Sequence, residues 1–419
     1  MQNIKITTPK NQLFDNALKI VKTLVNHNFI AYYAGGCVRD LVMRKNPNDI
    51  DIVTSAKPDD ILKLFKNTVE VGKSFGVIIV ILNKIKYDIA TFRRDNKYID
   101  GRRPLSIEFS DAKEDVIRRD FTVNGLLFDP IKNEIIDYVN GIEDIYNKII
   151  RSIGNPYDRF NDDHLRILRC IRFSHKLGFK IEENTYNALK ELSYKLKLIS
   201  VERINEELSK ILCLPDPHIA IKLLNQTNIL ENLFPEFVEL KDINKFNLIL
   251  KMLENIKIKS YELILAILFL QFEDKSYEIA KKICSKLKIS NNQTKLILEL
   301  IIYHKKFNDV KKMSLSELKK FLRIKNFHLH LELNRVYSIA LNLSLSNYYF
   351  CKEKISEFSN KSIELFQKLL LDGLDLINLG LKPGPIFRKI FNELEDLQLE
   401  NIIKNKEQAI AWVKENYIK

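Results

Sequence analysis

The chain of 419 residues lacks the features that mark membrane, secreted or metal-stapled proteins. No apolar run approaches the roughly 18 residues a helical membrane span needs. The opening stretch, residues 1–9, has no apolar signal core, so a secretory signal is not expected. Five cysteines (Cys37, Cys170, Cys213, Cys284 and Cys351) stand singly, with no CxxC pair among them. That spacing argues against a zinc site and a disulfide frame and favours a reducing, cytoplasmic location. Glycine is missing between residues 179 and 372, which leaves that stretch few of the positions where a chain turns most freely. No fixed-period repeat and no low-complexity tail interrupt the sequence.

Hydrophobic residues make up 46% of the chain, enough for globular cores. Lysine and arginine number 67 against 54 acidic residues, a net charge of +13 spread along the chain. Such a surface attracts polyanions, although a merely solvated surface has the same composition. The first 150 residues read as mixed α/β. Leu13, Phe14, Ala17, Leu18, Val21, Leu24 and Val25 recur at helical spacing. Residues 29–33, 49–53, 77–82, 86–92 and 126–128 read as strands, with Asn83 and Lys84 as a hairpin turn. From about residue 155 onward, apolar residues recur every three to four positions, which predicts an all-helical second half in several sub-bundles.

Three stretches carry chemistry. In the first, Ala34-Gly-Gly-Cys-Val-Arg-Asp40 precedes Asp49-Ile-Asp51. A Gly-Gly pair between a strand and a helix lets backbone approach a phosphate, and Arg39 adds a charge-assisted contact. Asp49 and Asp51, two apart on a strand, project from one face. Two hard oxygen ligands so placed suit Mg2+ shared with a triphosphate. Asp88 is a third candidate carboxylate, with a structural role its equal alternative. In the second stretch, Arg118-Arg-Asp-Phe-Thr-Val-Asn124, the arginines can bind phosphate, Asp120 can orient Arg119, and Asn124 can contact a ribose. The third, residues 161–173, reads as part of one helix ending near Gly178. On it Asp163, Arg166, Arg169 and Arg172 form a stripe, while Leu165, Leu168, Ile171 and Phe173 occupy other faces. A carboxylate accepts hydrogen bonds and a guanidinium only donates. Asp163 with Arg166 therefore complements the amino donor and ring-nitrogen acceptor that cytosine and adenine share. Uracil and guanine present the opposite order.

These residues resemble the class II, bacterial-type tRNA nucleotidyltransferase and poly(A) polymerase family. The matches follow the family's order: GGCVRD with DID, then RRDFTVN, then DDHLRILRCIRF, then VERINEEL at residues 201–208. The resemblance implies an α+β protein. A small polymerase-beta-like nucleotidyltransferase head of mixed sheet would span residues 1–150. Elongated all-helical parts would follow: a nucleotide-selecting neck (151–215), a body (216–330) and a tRNA-binding tail (331–419). Carried over, Asp49 and Asp51 bind catalytic Mg2+. Gly36, Arg39, Arg119, Asp163, Arg166, Arg169 and Arg172 contact the incoming nucleotide, and Glu202 and Arg203 buttress the neck helices. The likeness resumes at Asp372-Gly-Leu-Asp-Leu-Ile-Asn-Leu-Gly-Leu-Lys-Pro-Gly-Pro385, which looks like the tail segment of CCA-adding members. Asp162 stands where the family usually has Glu, and Gly125 where it has Ala. No HD dipeptide occurs, so the phosphohydrolase domain of some relatives is not expected.

Within that family the implied activity is addition of CCA to tRNA 3′ ends from CTP and ATP. The charged loop of residues 91–104, which CC-adding relatives largely lack, favours full CCA or A-only addition. Poly(A) polymerases typically carry proline between the motif aspartate and arginine, where His164 and Leu165 stand here. An A-adding enzyme, a poly(A) polymerase, a signalling nucleotidyltransferase that uses no RNA and a non-catalytic RNA-binding protein are the alternatives. No membrane partner is expected, and the oligomeric state is open.

Overall fold

The computed structural model describes residues 6, 8–70, 75–95, 107–360 and 368–418. The chain divides into two compact units, Met1–Lys241 with Lys286–Lys288, and Asp242–Ser285 with Ile289–Lys419.

The first unit opens with helix α1 (Gln12–Asn26), whose N-cap Asn11 accepts from the Phe14 amide at 3.1 Å. Its periodic face buries Phe14, Ala17, Ile20, Val21 and Leu24. Strand β1 (Ala31–Ala34) leads to α2 (Gly36–Val42), then β2 (Asp51–Thr54), α3 (Pro58–Leu64) and β3 (Thr68–Val69). Next come β4 (Val77–Leu82), β5 (Ile85–Thr91) and the short pair β6 (Arg93–Asp95) and β7 (Ile107–Phe109). Of the loop expected at residues 91–104 to favour full CCA or A-only addition, residues 96–104 lie outside the described residues. Helix α4 (Ala112–Ile117), β8 (Leu127–Asp129), β9 (Glu134–Ile136) and α5 (Gly141–Asn147) complete the head. The main sheet has strand order β3-β4-β5-β2-β1-β8-β9, mixed because β2 and β5 run parallel and the other neighbours antiparallel.

Local chemistry accounts for several joints. Asn83 (φ 51°) and Lys84 (φ 67°) both take positive φ, the turn geometry whose twist matches a two-residue hairpin. The buried Asn16 on α1 pins that hairpin, donating to the Leu82 carbonyl and accepting from Asn83. Strand β2 starts at Asp51, two residues later than its alternation predicts. Even so, Asp49 and Asp51 are exposed on either side of the buried Ile50.

Helix α6 (Pro156–Asp162) is followed by α7 (Arg166–Leu177), α8 (Glu183–Leu192) and α9 (Val201–Leu212). The single helix expected across residues 161–173 is thus two helices with a break at Asp163, which is extended (φ −138°, ψ 103°). Side chains make the break. The His164 ring Nδ1 donates to the Phe160 carbonyl at 2.7 Å, and the Asp163 carboxylate accepts the Leu165 amide at 3.1 Å. Helix α7 ends at Gly178 (φ 69°), where the Phe179 amide donates to the Ser174 carbonyl at 3.0 Å, a Schellman closure. A two-stranded parallel ribbon, β10 (Ile149–Ile150) with β11 (Lys180–Ile181), ties the exit of α7 to the end of the head.

The second unit is helical in its described residues. The helix Tyr261–Leu270 is buried from Leu263 through Phe269, as a helix apolar all round should be. One core gathers Phe307, Phe321, Phe327 and Phe358, and another Leu371, Leu376, Ile390, Leu394 and Val413. A polar clasp joins the helix Leu315–Leu322, from the first core, to the helix Pro385–Leu399, from the second. Buried Lys319 donates from Nζ to the Leu399 carbonyl at 2.6 Å, so a cation caps the carbonyl end of one helix. Reciprocally, Glu400 accepts the Ser316 amide at 2.7 Å, so a carboxylate caps the amide end of the other. Arg323 with Glu395 and Lys320 with Asp396 close the clasp, each pair at 2.5 Å.

Replacing Lys319 with alanine strands the Leu399 carbonyl and leaves a void. The expected loss is about 2–4 kcal/mol in denaturant unfolding. Lys312→Ala, which removes only an exposed pair with Asp309, should leave unfolding unchanged. Equal effects from the two variants would refute the clasp.

Candidate nucleotidyltransferase site

The register of the sheet builds the floor of the site. Ala34, the last residue of β1, pairs with Asp51, the first of β2. The Gly35–Gly36 corner therefore begins beside the Asp51 carboxylate. Gly35 takes φ +70°, and a Cβ there would lie 3.2 Å from an Arg119 guanidinium nitrogen. On the other side β2 pairs with β5, Ile52 facing Ile89, which sets Asp88 next to Asp51. Loss of water in the cleft, then Asp49 and Asp88, push the Asp51 carboxyl up to about 6, against the opposing pull of Arg119. Solvent still reaches Asp51, so the cleft is open on one side.

Crowded carboxylates of this kind fit a cation. Among the described residues no group of three histidine, cysteine or acidic side chains is placed to hold a metal by itself. The donor set therefore suits a hard ion completed by substrate oxygens rather than one caged by protein. Mg2+ is usually bound in that way, through one or two carboxylates plus phosphates.

A cleft of about 640 Å³ gathers Gly36, Arg39, Asp49, Asp51, Arg119, Asp163, Arg166, Arg169 and Arg172, the nine residues singled out above. Asp88 acts on Asp51 electrostatically but does not line the cleft. Most of the cleft arginines are anchored by carboxylates. Arg39 is 2% exposed; its Nη2 donates to Asp40 at 2.7 Å and its Nη1 to the Asn124 amide oxygen at 2.6 Å. Asp115, fully buried, splits its carboxylate between Arg118 at 2.6 Å and Arg119 at 2.9 Å. Burial drives the Asp115 carboxyl up, but Arg119 and Arg118 outweigh it and hold it below its usual value. Asp120 receives Arg169 at 2.5 Å, and Glu207 receives Arg172 at 2.5 Å.

These partners correct one expectation. Asp120 orients Arg169, not Arg119, which Asp115 holds. Asn124 lines the cleft at 7% exposure, its side chain bonded to Arg39 and Asp120. Glu202 pairs with Lys288 at 2.5 Å, while Arg203 reaches Asp163 at 3.4 Å. Arg166 is anchored by main chain, donating to the Arg118 carbonyl at 2.8 Å and the Arg159 carbonyl at 3.3 Å. Asp163 stands in the break before α7, and Arg166 opens that helix.

Four contributors escaped the sequence reading. Asp115 and Glu207 are the buried counter-charges. Asp115 sits three and four residues before its arginines, a spacing that helical geometry would have flagged. Phe173, read as core, lines the cleft and gathers the guanidinium groups of Arg172, Arg169 and Arg39 at 4.4, 5.4 and 5.8 Å from its ring. Lys176 lines the cleft four residues beyond Arg172.

A mixed-sheet head with paired carboxylates at a glycine corner, roofed by an arginine-striped helix, defines a nucleotidyltransferase. Residues 31–151 match the family model for the poly(A) polymerase head domain, and residues 256–413 match that for tRNA nucleotidyltransferase domain 2. The chain is 33% identical over 407 residues to the CCA-adding enzyme of Lactococcus lactis subsp. cremoris, covering 95% of each chain. It is 32% identical over 416 residues to that of Staphylococcus epidermidis, covering 96% of this chain and 98% of the relative. Among solved structures it resembles the Bacillus stearothermophilus CCA-adding enzyme in complex with CTP. There the TM-score is 0.79 at 26% identity, with 97% of this chain and 98% of that one covered. The chain belongs to the CCA-adding enzyme family.

The raised Asp51 carboxyl carries a pH prediction. Because the folded state favours its protonated form, ionising Asp51 costs stability as pH rises through about 6. Metal-free Asp51→Asn protein should therefore unfold at a higher temperature than the parent above about pH 6. The gain should fade as pH drops toward the ordinary carboxyl value of 3.8. A gain independent of pH would show that the carboxylate crowding is not its cause.

Proposed function

We propose that this chain adds CCA to the 3′ end of tRNA from CTP and ATP, without a nucleic-acid template, releasing pyrophosphate. The observation that carries this is the convergence of Asp49, Asp51, the glycine corner and the Asp163–Arg166 pair in one cleft. The names of its relatives and the tRNA nucleotidyltransferase match over its helical part support the same reading.

In this reading Asp49 and Asp51 hold Mg2+. The ion supplies a lowered pKa for the attacking hydroxyl and charge neutralisation at the phosphates. The protein's own groups do the positioning. Gly36 lets backbone approach the triphosphate, and Arg39, Arg119, Arg169 and Arg172, already oriented by carboxylates, bind its oxygens without reorganising. The tRNA 3′ oxygen attacks the α-phosphorus in line as the bond to pyrophosphate breaks, and no protein nucleophile takes part. The nearby thiol of Cys37, pushed up to about 12 by burial and the neighbouring Asp51, stays protonated.

Base choice falls to Asp163 and Arg166. The carboxylate accepts the amino group of cytosine or adenine, and the guanidinium donates to the ring nitrogen. Arg166's two carbonyl anchors and Arg203's contact with Asp163 keep the pair from rotating to suit uracil or guanine. Residues 151–215 would act as the neck, 216–330 as the body and 331–419 as the tRNA-binding tail, where Lys382, Arg388 and Lys389 are exposed. A cytoplasmic location is part of the same proposal. No described helix is long and apolar enough to cross a membrane.

The deciding experiment offers three transcripts, namely tRNA lacking CCA, tRNA ending in CC and an unstructured RNA, with CTP, ATP or both. Addition of CCA to the first, and then arrest, is expected. Activity confined to the CC-ended tRNA would make the chain an A-adding enzyme, and a long adenylate tract would make it a poly(A) polymerase. Asp163→Ala should lower kcat/KM for CTP roughly 100-fold and shrink its preference over UTP, since no carboxylate acceptor then opposes the uracil carbonyl oxygen. An undiminished CTP-to-UTP ratio would remove Asp163 from base selection.

A further inference from the structure

The cations of the cleft are not equivalent. Arg39, Arg118, Arg119, Arg169 and Arg172 are each held by a carboxylate, and Arg166 by two carbonyls. Lys176 also lines the cleft and is exposed, and its side chain makes no ion pair or hydrogen bond among the described residues. The arginines thus supply fixed geometry with their charge largely balanced. Lys176 supplies charge that no carboxylate pairs among the described residues.

Its place on α7 indicates what that charge meets. At about 100° per residue, Lys176 projects between the directions of Arg169 and Arg172, on the same face. It lies about 15 Å along the axis from Arg166. The base-reading pair stands at the amide end of α7, so the rest of a bound nucleotide extends toward the carbonyl end. Arg39, from the glycine corner, and Arg172 meet across the Phe173 ring, which marks the phosphate level. Lys176 is one turn beyond it. A lysine in the last turn of a helix also offsets the helix dipole. That role does not require the side chain to face the cleft, and His175 stands in the same turn, with its ring bonded to the Asp216 carbonyl at 3.1 Å.

We infer that Lys176 is a positioning residue for the outer phosphates of the incoming nucleotide and for the pyrophosphate that leaves. The inference rests on the nucleotidyltransferase reading above. It predicts a contact made equally with CTP and ATP, because the polyphosphate is the part they share. Loss of one exposed charge contact corresponds to about a fivefold change in binding.

The test compares Lys176→Gln and Lys176→Arg with the parent protein in CC and A addition to tRNA, and in inhibition by inorganic pyrophosphate. For Lys176→Gln, the KM for CTP, the KM for ATP and the pyrophosphate inhibition constant should each rise about fivefold. The expected kcat and tRNA KM are near those of the parent. Lys176→Arg should restore all three constants, and the difference should shrink as salt screens the contact. A raised tRNA KM with unchanged nucleotide and pyrophosphate constants would assign Lys176 to the RNA backbone and overturn the inference. So would constants equal to the parent's, or a loss of thermal stability that arginine restores without any change in KM. If the parent itself adds no nucleotide to tRNA, the functional reading fails before Lys176 is tested.

Discussion

Concentrating cations in one cleft is possible here because buried carboxylates stand behind them. Without Asp115, Asp120 and Glu207, the arginines that line the site would repel one another and turn outward to water. With them, the guanidinium groups of Arg118, Arg119, Arg169 and Arg172 are fixed in direction. The three carboxylates come from α4, from the start of the RRDFTVN stretch and from α9; Asp120 ties the head to α7 through Arg169, Glu207 ties α9 to α7 through Arg172, and Asp115 holds two arginines close by in the chain. Placing the charges and closing the fold of this unit are the same set of contacts. Phe173 completes the arrangement by offering one ring to three guanidinium groups, which narrows the space in which they can move.

The break before α7 has a similar double character. An unbroken helix would have directed Asp163 and Arg166 from neighbouring positions on a single rod. Instead the Asp163 side chain turns the chain by accepting the Leu165 amide, and the His164 ring takes a carbonyl of the preceding helix. Asp163 then meets Arg203 from α9 while Arg166 reaches back to the head at the Arg118 carbonyl. Asp163 and Arg166 are thereby anchored to different elements, and their separation is set by tertiary contacts rather than by helical pitch.

The second unit solves another problem with the same means. Two of its apolar cores are bridged by a polar clasp in which each helix caps the other's end. A buried lysine and a glutamate serve where helix ends would otherwise carry unpaired carbonyls and amides. Such a joint depends on geometry more than on apolar area, and it fixes one relation between the two helices.

Much of this was open to inspection in the amino-acid sequence. The apolar period of α1, the Asn83–Lys84 turn, the Gly178 helix end and the Gly-Gly, Asp49 and Asp51 order are local, and local propensity determines them. The family resemblance likewise named nine residues that the fold collects into one cleft. The partners were a different matter. Asp120 meets Arg169 across 49 residues and Glu207 meets Arg172 across 35. A helix break decided by side-chain capping looks, in one dimension, like an uninterrupted period. Sequence by itself determined which elements form and which residue types the site would use. Tertiary structure alone decided that Asp120 balances Arg169 and Glu207 balances Arg172, and which cleft cation has no carboxylate partner among the described residues. The reason is physical: backbone preferences act over a few residues, whereas charge pairing and burial act through space between segments that only the fold brings together.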